Sequence, residues 1–294
     1  MIIQNITLKK GDQGAAVVHL HMYLEEYGYI PGRKLAPWVS KLPPVAKAAK
    51  DWDTFDDATE DAVRLFQQTF SLPITGEIEG LTLELMQKPR CGVPDIPGLT
   101  IGVRSTPVCG WPKRQLRYHI VNTLPQIGAD VHKRVFVEQL TKWASIAGFS
   151  ISEGPEGSDI QSLNYRNDGC GGTYAITGLP CSHNPHGVPD YPDSGDVWFD
   201  ETDCWSVATS TPGNKVDFVS VALHELGHAM GLGHNKTDPT AVMYPYFKLG
   251  EERRNPTADD IDGIRRLYPQ LLSDDERAFA AWSAGDLHPH LRTA

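Results

Sequence analysis

The chain contains two separate regions of patterned hydrophobic residues. In the first, residues 16–24 and 58–70 carry apolar side chains on one face of a helix, and residues 81–86 form a third short apolar segment. Residues 31–53 contain several prolines and lysines, which is typical of a surface loop. The pattern predicts a small all-α unit of three helices over residues 1–88.

In the second region, alternating and helical patterns follow one another. Residues 116–120 alternate as a strand, and residues 149–151 and 160–165 are predicted as further strands. Residues 131–147 have apolar side chains at helical spacing before Gly148. Thr257 is the predicted N-cap of a last helix, because acidic residues follow it in the first turn. This order of elements predicts an α+β fold.

The domain boundaries follow from the same patterns. Residues 89–109 are predicted to connect the two regions, and the part after residue 95 has no periodicity, which is typical of a linker open to proteolytic cleavage. The α+β domain is predicted to span residues 110–270. Residues 271–294 remain as a C-terminal tail to which the sequence assigns no function.

Composition narrows the classes of partner. The 294 residues carry a net charge of −10 without a basic run, which argues against nucleic acid or an anionic membrane surface as a partner. No apolar run reaches the ~20 residues of a membrane-spanning helix. Residues 1–5 lack the charged and apolar regions of a signal peptide. We expect a monomer.

Residues 224–234 carry the clearest chemistry. His224 and His228 are four residues apart, so on a helix they lie on one face and can hold a single zinc ion. Gly231 can end that helix and turn the chain back, so that His234 reaches the same metal. Three protein ligands leave one position open for a water, next to Glu225, as in catalytic zinc sites. A bare H-E-x-x-H pair also occurs by chance, but this glycine and third histidine each meet a separate geometric demand.

A short segment bracketed by prolines, residues 89–95, contains a lone cysteine. A thiolate is a strong zinc ligand, so Cys91 could occupy the open position on the metal and displace the water. Arg90 and Asp95 have opposite charges that could clamp the segment around Cys91. The alternative is a cysteine in a linker without a role.

Two loops combine glycines with carboxylates. Asp168 begins the run Asp-Gly-Cys-Gly-Gly-Thr, and Asp200 and Asp203 follow a second glycine turn at Gly195. Calcium takes about six to eight oxygen ligands, some of them backbone carbonyls, so the pattern favours calcium. Polar loops without a metal are the alternative.

Together these motifs resemble those of a latent matrix metalloproteinase, a matrixin of the metzincin clan. Residues 89–95 match the cysteine-switch motif of that family, residues 224–234 match its zinc motif, and Met243 matches its Met-turn. Residues 1–88 are similar to a peptidoglycan-binding-like domain, which in such proteins forms the body of the propeptide. The resemblance therefore implies a metzincin-type α+β catalytic domain preceded by a three-helix prodomain.

The resemblance also implies a function. It indicates a secreted or extracellular zinc metalloendopeptidase that acts on protein or peptide substrates, with Glu225 as the general base. Cys91 would keep the enzyme latent until an activating protease removes the propeptide. Met243 would lie beneath the metal, and Pro245 would line the pocket for the residue after the cut.

The resemblance assigns at least one calcium ion to the glycine loops. The implied ligands are the carboxylates of Asp168, Asp200 and Asp203 and the backbone oxygens of Gly169, Gly171 and Thr173.

The chain departs from the family at a second, structural zinc site, which is formed by three His and one Asp. The aligned positions here are Gln161, Leu163, Ile176 and Trp198. None of these side chains can serve as such a ligand, so the structural zinc is expected to be absent and one zinc per chain remains. His183 and His186 could form a substitute site or belong to a plain surface loop.

Four further cysteines lie in or at the edge of the predicted catalytic domain, at positions 109, 170, 181 and 204. Their even number indicates two disulfides, each contributing about 2–4 kcal/mol and bracing loops that have lost a metal. Three pairings are possible. Disulfides favour an oxidising compartment.

Two other classes of function remain open. One is a cell-wall peptidase that holds peptidoglycan through residues 1–88 and cuts its peptide stems. The other is a non-catalytic binding protein with a vestigial metal site, which the intact Glu225 and the three histidines argue against.

Overall fold

Two separate hydrophobic cores organise the chain. The computed structural model describes residues 7–30, 51–95, 107–182 and 192–269. The first core is formed by the predicted N-terminal unit together with Tyr246, and the second lies within the predicted α+β domain. Among the described residues, no helix has the length and apolar character needed to span a membrane.

Three helices form the N-terminal unit, as the sequence predicts. They are α1 (Ala15–Glu26), α2 (Asp57–Thr69) and α3 (Gly80–Met86). The Asp56 side chain accepts a hydrogen bond from the Thr59 amide, which satisfies one of the free N–H groups at the start of α2. Leu20, Leu24 and Phe66 are fully buried in the shared core. Most of the predicted surface loop at 31–53 lies outside the described residues.

A mixed five-stranded sheet in the order β2-β1-β3-β5-β4 forms the base of the second domain. Its strands are β1 (Gln115–Ile120), β2 (Ser150–Glu153), β3 (Ile160–Tyr165), β4 (Ala175–Thr177) and β5 (Asp196–Asp200), and β6 (Trp205–Ser206) and β7 (Val216–Asp217) form a separate pair. Neighbouring strands of the sheet are parallel except for β4, which pairs antiparallel with β5 at one edge. The predicted α+β fold is confirmed.

Two contacting helices, α4 (Ala129–Ala147) and α5 (Phe218–Ala229), complete the core of this domain. Helix α4 ends at Gly148, which adopts a left-handed conformation with φ 64°. Trp143 of α4 is fully buried, and its indole N–H donates to the Leu223 carbonyl at 2.8 Å. This contact fixes the position of α5, the helix that carries the H-E-x-x-H motif.

The last helix in the described part of the chain, α6 (Ala258–Leu267), is joined to the loop that contains Met243. Thr257 and Asp260 cap the helix reciprocally, as the predicted N-cap requires. The Asp260 carboxylate also accepts hydrogen bonds from the amides of Val242, at 2.9 Å, and Met243, at 3.3 Å. One buried carboxylate therefore fixes both the start of α6 and the turn at Met243.

Two disulfides select one of the three possible pairings. They join Cys109 to Cys181 and Cys170 to Cys204. The second bridge ties the glycine loop at residues 168–173 to the segment after β5. Cys91 is the remaining thiol, and it is buried.

Replacing Cys170 and Cys204 together by serine should reduce the free energy of unfolding by about 2–4 kcal/mol, because the bridge spans 34 residues and restricts the unfolded chain. Urea unfolding without a reducing agent measures this difference. With dithiothreitol present, the variant and the parent should unfold at the same urea concentration. Equal midpoints without a reducing agent would contradict the prediction.

Candidate metal centre

Four side chains that can bind a metal lie together in the interior. His224 and His228 belong to α5, His234 follows that helix, Cys91 precedes the second domain, and all four are buried. Their ligand atoms lie within 4.8 Å of one another. The His228 Nε2 atom lies 3.1 Å from His224 Nε2 and 3.6 Å from Cys91 Sγ. Three imidazoles and one thiol around a common point form a ligand set suited to zinc.

Hydrogen bonds on the far side of the rings orient two of the imidazoles. His224 Nδ1 lies 2.6 Å from the Val242 carbonyl, and His228 Nδ1 lies 2.7 Å from the Leu232 carbonyl. Because a carbonyl only accepts, each Nδ1 carries the proton and each Nε2 directs its lone pair into the cluster. Burial lowers the pKa of both histidines well below the usual value, so both rings are neutral, as a metal ligand must be.

His234 reaches the cluster through a glycine turn. Gly231 has φ 99°, and a Cβ at this position would lie 1.9 Å from the Cys109 carbonyl oxygen. His234 Nδ1 lies 3.0 Å from Asp95 Oδ1, and burial lowers the pKa of His234 to about 4. His234 Nε2 is buried and has no hydrogen-bond partner among the described residues. A metal ion in the cluster would satisfy this nitrogen, so the residues present fit zinc.

Glu225 lies beside the ligand cluster and is fully buried. Its Oε2 atom accepts a hydrogen bond from the Thr177 hydroxyl at 2.6 Å, whereas Oε1 has no partner among the described residues. Burial raises the pKa of Glu225 to about 7, although the Thr177 hydrogen bond opposes the shift. A carboxyl group with this pKa can both accept and release a proton near neutral pH.

Met243 lies directly beneath α5. A Cβ at Gly227 would lie 2.4 Å from Met243 Sδ, so the helix and the methionine can approach this closely because residue 227 is a glycine. Met243 therefore packs under the turn of α5 that carries the H-E-x-x-H motif.

Residues 89–92 form main-chain hydrogen bonds with two parts of the α+β domain. On one side, the Arg90 amide donates to the Gly172 carbonyl at 2.7 Å, and the Gly92 amide donates to the Ala175 carbonyl at 2.8 Å. On the other side, the Cys91 amide donates to the Pro245 carbonyl at 2.9 Å. These main-chain bonds hold the Cys91 side chain at the histidines.

Arg90 and Asp95 form the predicted ion pair, and both side chains are buried. The Arg90 Nη2 atom lies 2.6 Å from Asp95 Oδ1, and Nη1 lies 3.0 Å from Oδ2. Although burial opposes the shift, the Arg90 guanidinium and His234 hold the pKa of the Asp95 carboxyl well below its usual value. The guanidinium carbon also lies 3.6 Å from the Tyr27 ring centroid and 4.7 Å from that of Tyr246.

Tyrosines from both domains complete this environment. The hydroxyls of Tyr23 and Tyr246 lie 3.3 and 3.1 Å from Arg90 Nη1, and the Tyr29 hydroxyl donates to Asp95 at 2.8 Å. Tyr246 belongs to the catalytic domain but is buried in the N-terminal core. The sequence alone did not indicate a role for these tyrosines or for Thr177. Its only signal was the i, i+4 spacing of Tyr23 and Tyr27, which places both side chains on one face of a helix.

Burial raises the pKa of the Cys91 thiol well above its usual value, and the nearby Glu225 carboxylate adds to the effect. The protein alone therefore favours the neutral thiol. A coordinating thiol is deprotonated by its metal ion, so zinc would supply the positive charge that the thiolate needs.

The predicted calcium carboxylates surround the glycine loop. Each accepts a hydrogen bond from a loop amide: Asp200 from Asp168 at 3.2 Å, Asp203 from Gly171 at 2.8 Å, and Asp168 from Thr173 at 3.2 Å. Within the described ranges, the four-residue cluster around His224 is the only group of His, Cys, Asp or Glu side chains close enough to share a metal. Asp203 Oδ2 nevertheless has no partner among the described residues, and burial raises the pKa of Asp203 to about 8.

The positions aligned with the structural zinc site lie on neighbouring strands. Leu163 of β3 pairs with Trp198 of β5, which in turn pairs with Ile176 of β4. Gln161 instead donates a hydrogen bond to Asp196 at 2.9 Å. His183 and His186 lie outside the described residues.

Comparison with known proteins gives two family matches and several relatives. The Matrixin family model matches residues 110–269, and the peptidoglycan binding domain model matches residues 13–86. Human (Homo sapiens) matrilysin is 32% identical over 217 residues, which cover 72% of this chain and 77% of matrilysin. Metalloendoproteinase 1-MMP of Arabidopsis thaliana is 29% identical and covers 92% of this chain, which spans 74% of that protein.

A third relative is longer. Matrix metalloproteinase-25 of Mus musculus is 28% identical over 92% of this chain, but the chain spans only 44% of the length of that protein. The regions shared with this relative lie within a larger molecule there.

Gly231→Ala should reduce the free energy of unfolding by at least about 2 kcal/mol, because alanine is strained at positive φ and its Cβ would clash with the Cys109 carbonyl. It should also weaken zinc binding by moving His234. Thermal unfolding and zinc content measure the two effects. Gly213→Ala is the matched control, since a Cβ there meets nothing within 4 Å. Equal unfolding of both variants would contradict the assigned role of the turn.

Proposed function

Because the chain belongs to the matrixin family of zinc metalloproteases, we propose that it is a latent zinc endopeptidase whose propeptide blocks its own metal site. The observation that carries this proposal is the cluster of Cys91, His224, His228 and His234, whose ligand atoms lie within 4.8 Å of one another. His224, His228 and His234 serve as the catalytic ligands, and Cys91 serves as the fourth ligand of the uncut chain.

Glu225 is the general base in the proposed mechanism. The three imidazoles would hold a zinc ion, which would act as a Lewis acid and lower the pKa of water at the site. Thr177 holds Glu225 Oε2 at 2.6 Å, so Oε1 is the oxygen that accepts the proton of the attacking water. Glu225 then passes that proton to the leaving amine.

Main-chain groups around residues 89–92 are the proposed substrate-binding groups. The carbonyls of Gly172, Ala175 and Pro245 accept hydrogen bonds from the propeptide amides, as they could from an extended peptide substrate. Because these contacts involve only the backbone of the bound chain, they favour a protein or peptide substrate but do not determine which side chains it carries. Pro245 also borders the proposed pocket for the residue after the cut.

The propeptide is proposed to comprise residues 1–88 as its folded body and residues 89–109 as the switch and cleavage region. Its contribution to latency rests on Tyr23, Tyr27 and Tyr29, which surround the Arg90–Asp95 pair. An activating protease would cut after Asp95, and the catalytic domain would then be residues 110–270. Two disulfides support an oxidising, extracellular location.

Calcium is proposed to bind near Asp168, Asp200 and Asp203, with backbone oxygens of Gly169, Gly171 and Thr173 completing the ligands. The unpartnered Oδ2 atom of Asp203 and the raised pKa of this carboxyl support the proposal. A divalent cation would stabilise the ionised form that burial disfavours.

Glu225→Ala should retain zinc and fold but lower the turnover of the trimmed enzyme by about 10²–10⁴-fold, because it removes only the proton transfer. Cleavage of a fluorogenic peptide together with zinc content tests this expectation. Thr177→Val should lower turnover less than Glu225→Ala does, since the Glu225 carboxylate remains. A zinc-loaded Glu225→Ala enzyme with parental turnover would exclude Glu225 as the base.

Cys91→Ser should raise the activity of the uncut chain by about tenfold or more, because a hydroxyl is a poor substitute for a thiolate on zinc, and tenfold corresponds to about 1.4 kcal/mol of lost inhibition. Peptide cleavage should be measured alongside gel electrophoresis that verifies the intact chain. Cys91→Ser/Glu225→Ala controls for contaminating proteases. If the uncut variant is as inert as the parent while the trimmed enzyme is active, Cys91 is not the inhibitory ligand.

Elemental analysis of dialysed protein should give one zinc and at least one calcium per chain. Calcium chelation should lower the melting temperature, because a ligand at a hundredfold its Kd stabilises the folded state by about 2.7 kcal/mol. Two tightly held zinc ions per chain would contradict this count. An unchanged melting temperature after calcium chelation would contradict the proposed calcium site.

A further inference from the structure

The three histidines of the cluster differ in what orients them. His224 and His228 donate their Nδ1 protons to the carbonyls of Val242 and Leu232, which belong to the catalytic domain. His234 Nδ1 instead lies 3.0 Å from Asp95 Oδ1, and Asp95 belongs to the propeptide. Cleavage after residue 95 therefore leaves two histidines with their partners and deprives the third of its partner.

Asp95 is held firmly in this position. Its carboxylate accepts two hydrogen bonds from Arg90, at 2.6 and 3.0 Å, and one from Tyr29, at 2.8 Å. Its backbone amide also donates to the Tyr27 carbonyl at 3.1 Å. The carboxylate is paired with the Arg90 guanidinium, so it is ionised and can only accept hydrogen bonds. His234 Nδ1 therefore donates to it, and the lone pair of Nε2 faces the metal cluster.

A carboxylate is a stronger acceptor than a carbonyl, because the hydrogen bond is assisted by charge. A carboxylate bonded to the far nitrogen of a metal-binding histidine fixes the ring and increases the basicity of the coordinating nitrogen. In the uncut chain, His234 has this assistance. Among the described residues, Asp95 is the hydrogen-bond partner of His234 Nδ1, whereas the other two rings bond to carbonyls of the catalytic domain, so trimming would remove only the His234 partner.

We infer that Asp95 is a positioning residue for His234, through which the propeptide tightens zinc binding independently of the Cys91 thiolate. This inference rests on the proposed function, in that the three histidines hold zinc. It assigns the propeptide two separate effects on the metal centre: Cys91 occupies a ligand position, and Asp95 strengthens another ligand. Removal of the propeptide then exposes the metal and also makes it more exchangeable.

The test isolates Asp95 by removing the thiolate first. Uncut Cys91→Ser protein is loaded with zinc, and the rate of zinc transfer to the chelator 4-(2-pyridylazo)resorcinol is compared with that of Cys91→Ser/Asp95→Asn. Asparagine keeps a neutral acceptor but loses the charge of the carboxylate, and mutation of such a partner typically costs about 10–100-fold in metal affinity, so zinc release should be faster by up to a similar factor. Adding Asp95→Glu instead should restore part of the slow release.

Cys91→Ser/Tyr29→Phe is the matched control. It removes a hydrogen bond to the same carboxylate but leaves the His234 contact in place, so zinc release should stay within about threefold of the Cys91→Ser parent. Equal acceleration by Tyr29→Phe and Asp95→Asn would assign the effect to general loosening of the propeptide and would overturn the inference.

A second measurement does not depend on the folding of an Asp95 variant. Three imidazole Nδ1–H signals should be visible by NMR in the zinc-loaded Cys91→Ser protein, and one of them should shift or disappear when the propeptide is removed. Three unchanged signals, or zinc release unaffected by Asp95→Asn, would overturn the inference while leaving the proposed function intact. A Cys91→Ser protein that binds no zinc would overturn the proposed function itself, and the inference with it.

Discussion

The buried ion pair between Arg90 and Asp95 is the contact on which the proposed latent arrangement depends. Both side chains are almost completely removed from water, which costs several kcal/mol per ion unless other contacts offset it. Here the cost is offset by the two hydrogen bonds between the side chains and by a tyrosine ring that packs against the Arg90 guanidinium. Tyrosine hydroxyls and the His234 imidazole form further hydrogen bonds with the pair. Removing one partner of such a pair costs about 3–5 kcal/mol, because the other charge stays buried.

This pair also joins the parts of the molecule. Tyr23, Tyr27 and Tyr29 come from the N-terminal unit, Tyr246 and His234 come from the catalytic domain, and the pair itself brackets Cys91. The position of the Cys91 sulfur therefore depends on contacts made well away from it. By contrast, the Glu225–Thr177 contact and the carbonyl partners of His224 and His228 lie wholly within the catalytic domain. Removal of the proposed propeptide would take away none of the residues that make those contacts.

Much of the fold was predictable, because periodic burial is a local property of the sequence. The spacing of apolar residues gave the three N-terminal helices, the long helix ending at Gly148 and the capped helix after Thr257. The H-E-x-x-H spacing and Gly231 likewise report local geometry. The histidines of the ligand cluster could be predicted for the same reason, whereas the approach of Cys91 was predicted from thiolate chemistry and from the resemblance of residues 89–95 to the cysteine-switch motif.

The remaining features depend on which distant residues meet in space, and no local pattern encodes that. The disulfide pairing, the Thr177 contact to Glu225 and the insertion of Tyr246 into the N-terminal core are of this kind. The glycine loop shows a related limit: the carboxylates were visible in the sequence, but their hydrogen bonds to loop amides were not. The same holds for the Asp95 contact to His234, because the sequence suggested only a pairing with Arg90.

X-ray absorption at the zinc edge of the uncut, zinc-loaded chain tests the central claim most directly. The account predicts one sulfur neighbour at about 2.3 Å and three nitrogen neighbours at about 2.0–2.1 Å. Removal of the propeptide should replace the sulfur by oxygen and leave the nitrogens. A first shell without sulfur in the uncut chain, or one unchanged after trimming, would contradict the claim that Cys91 closes the metal site.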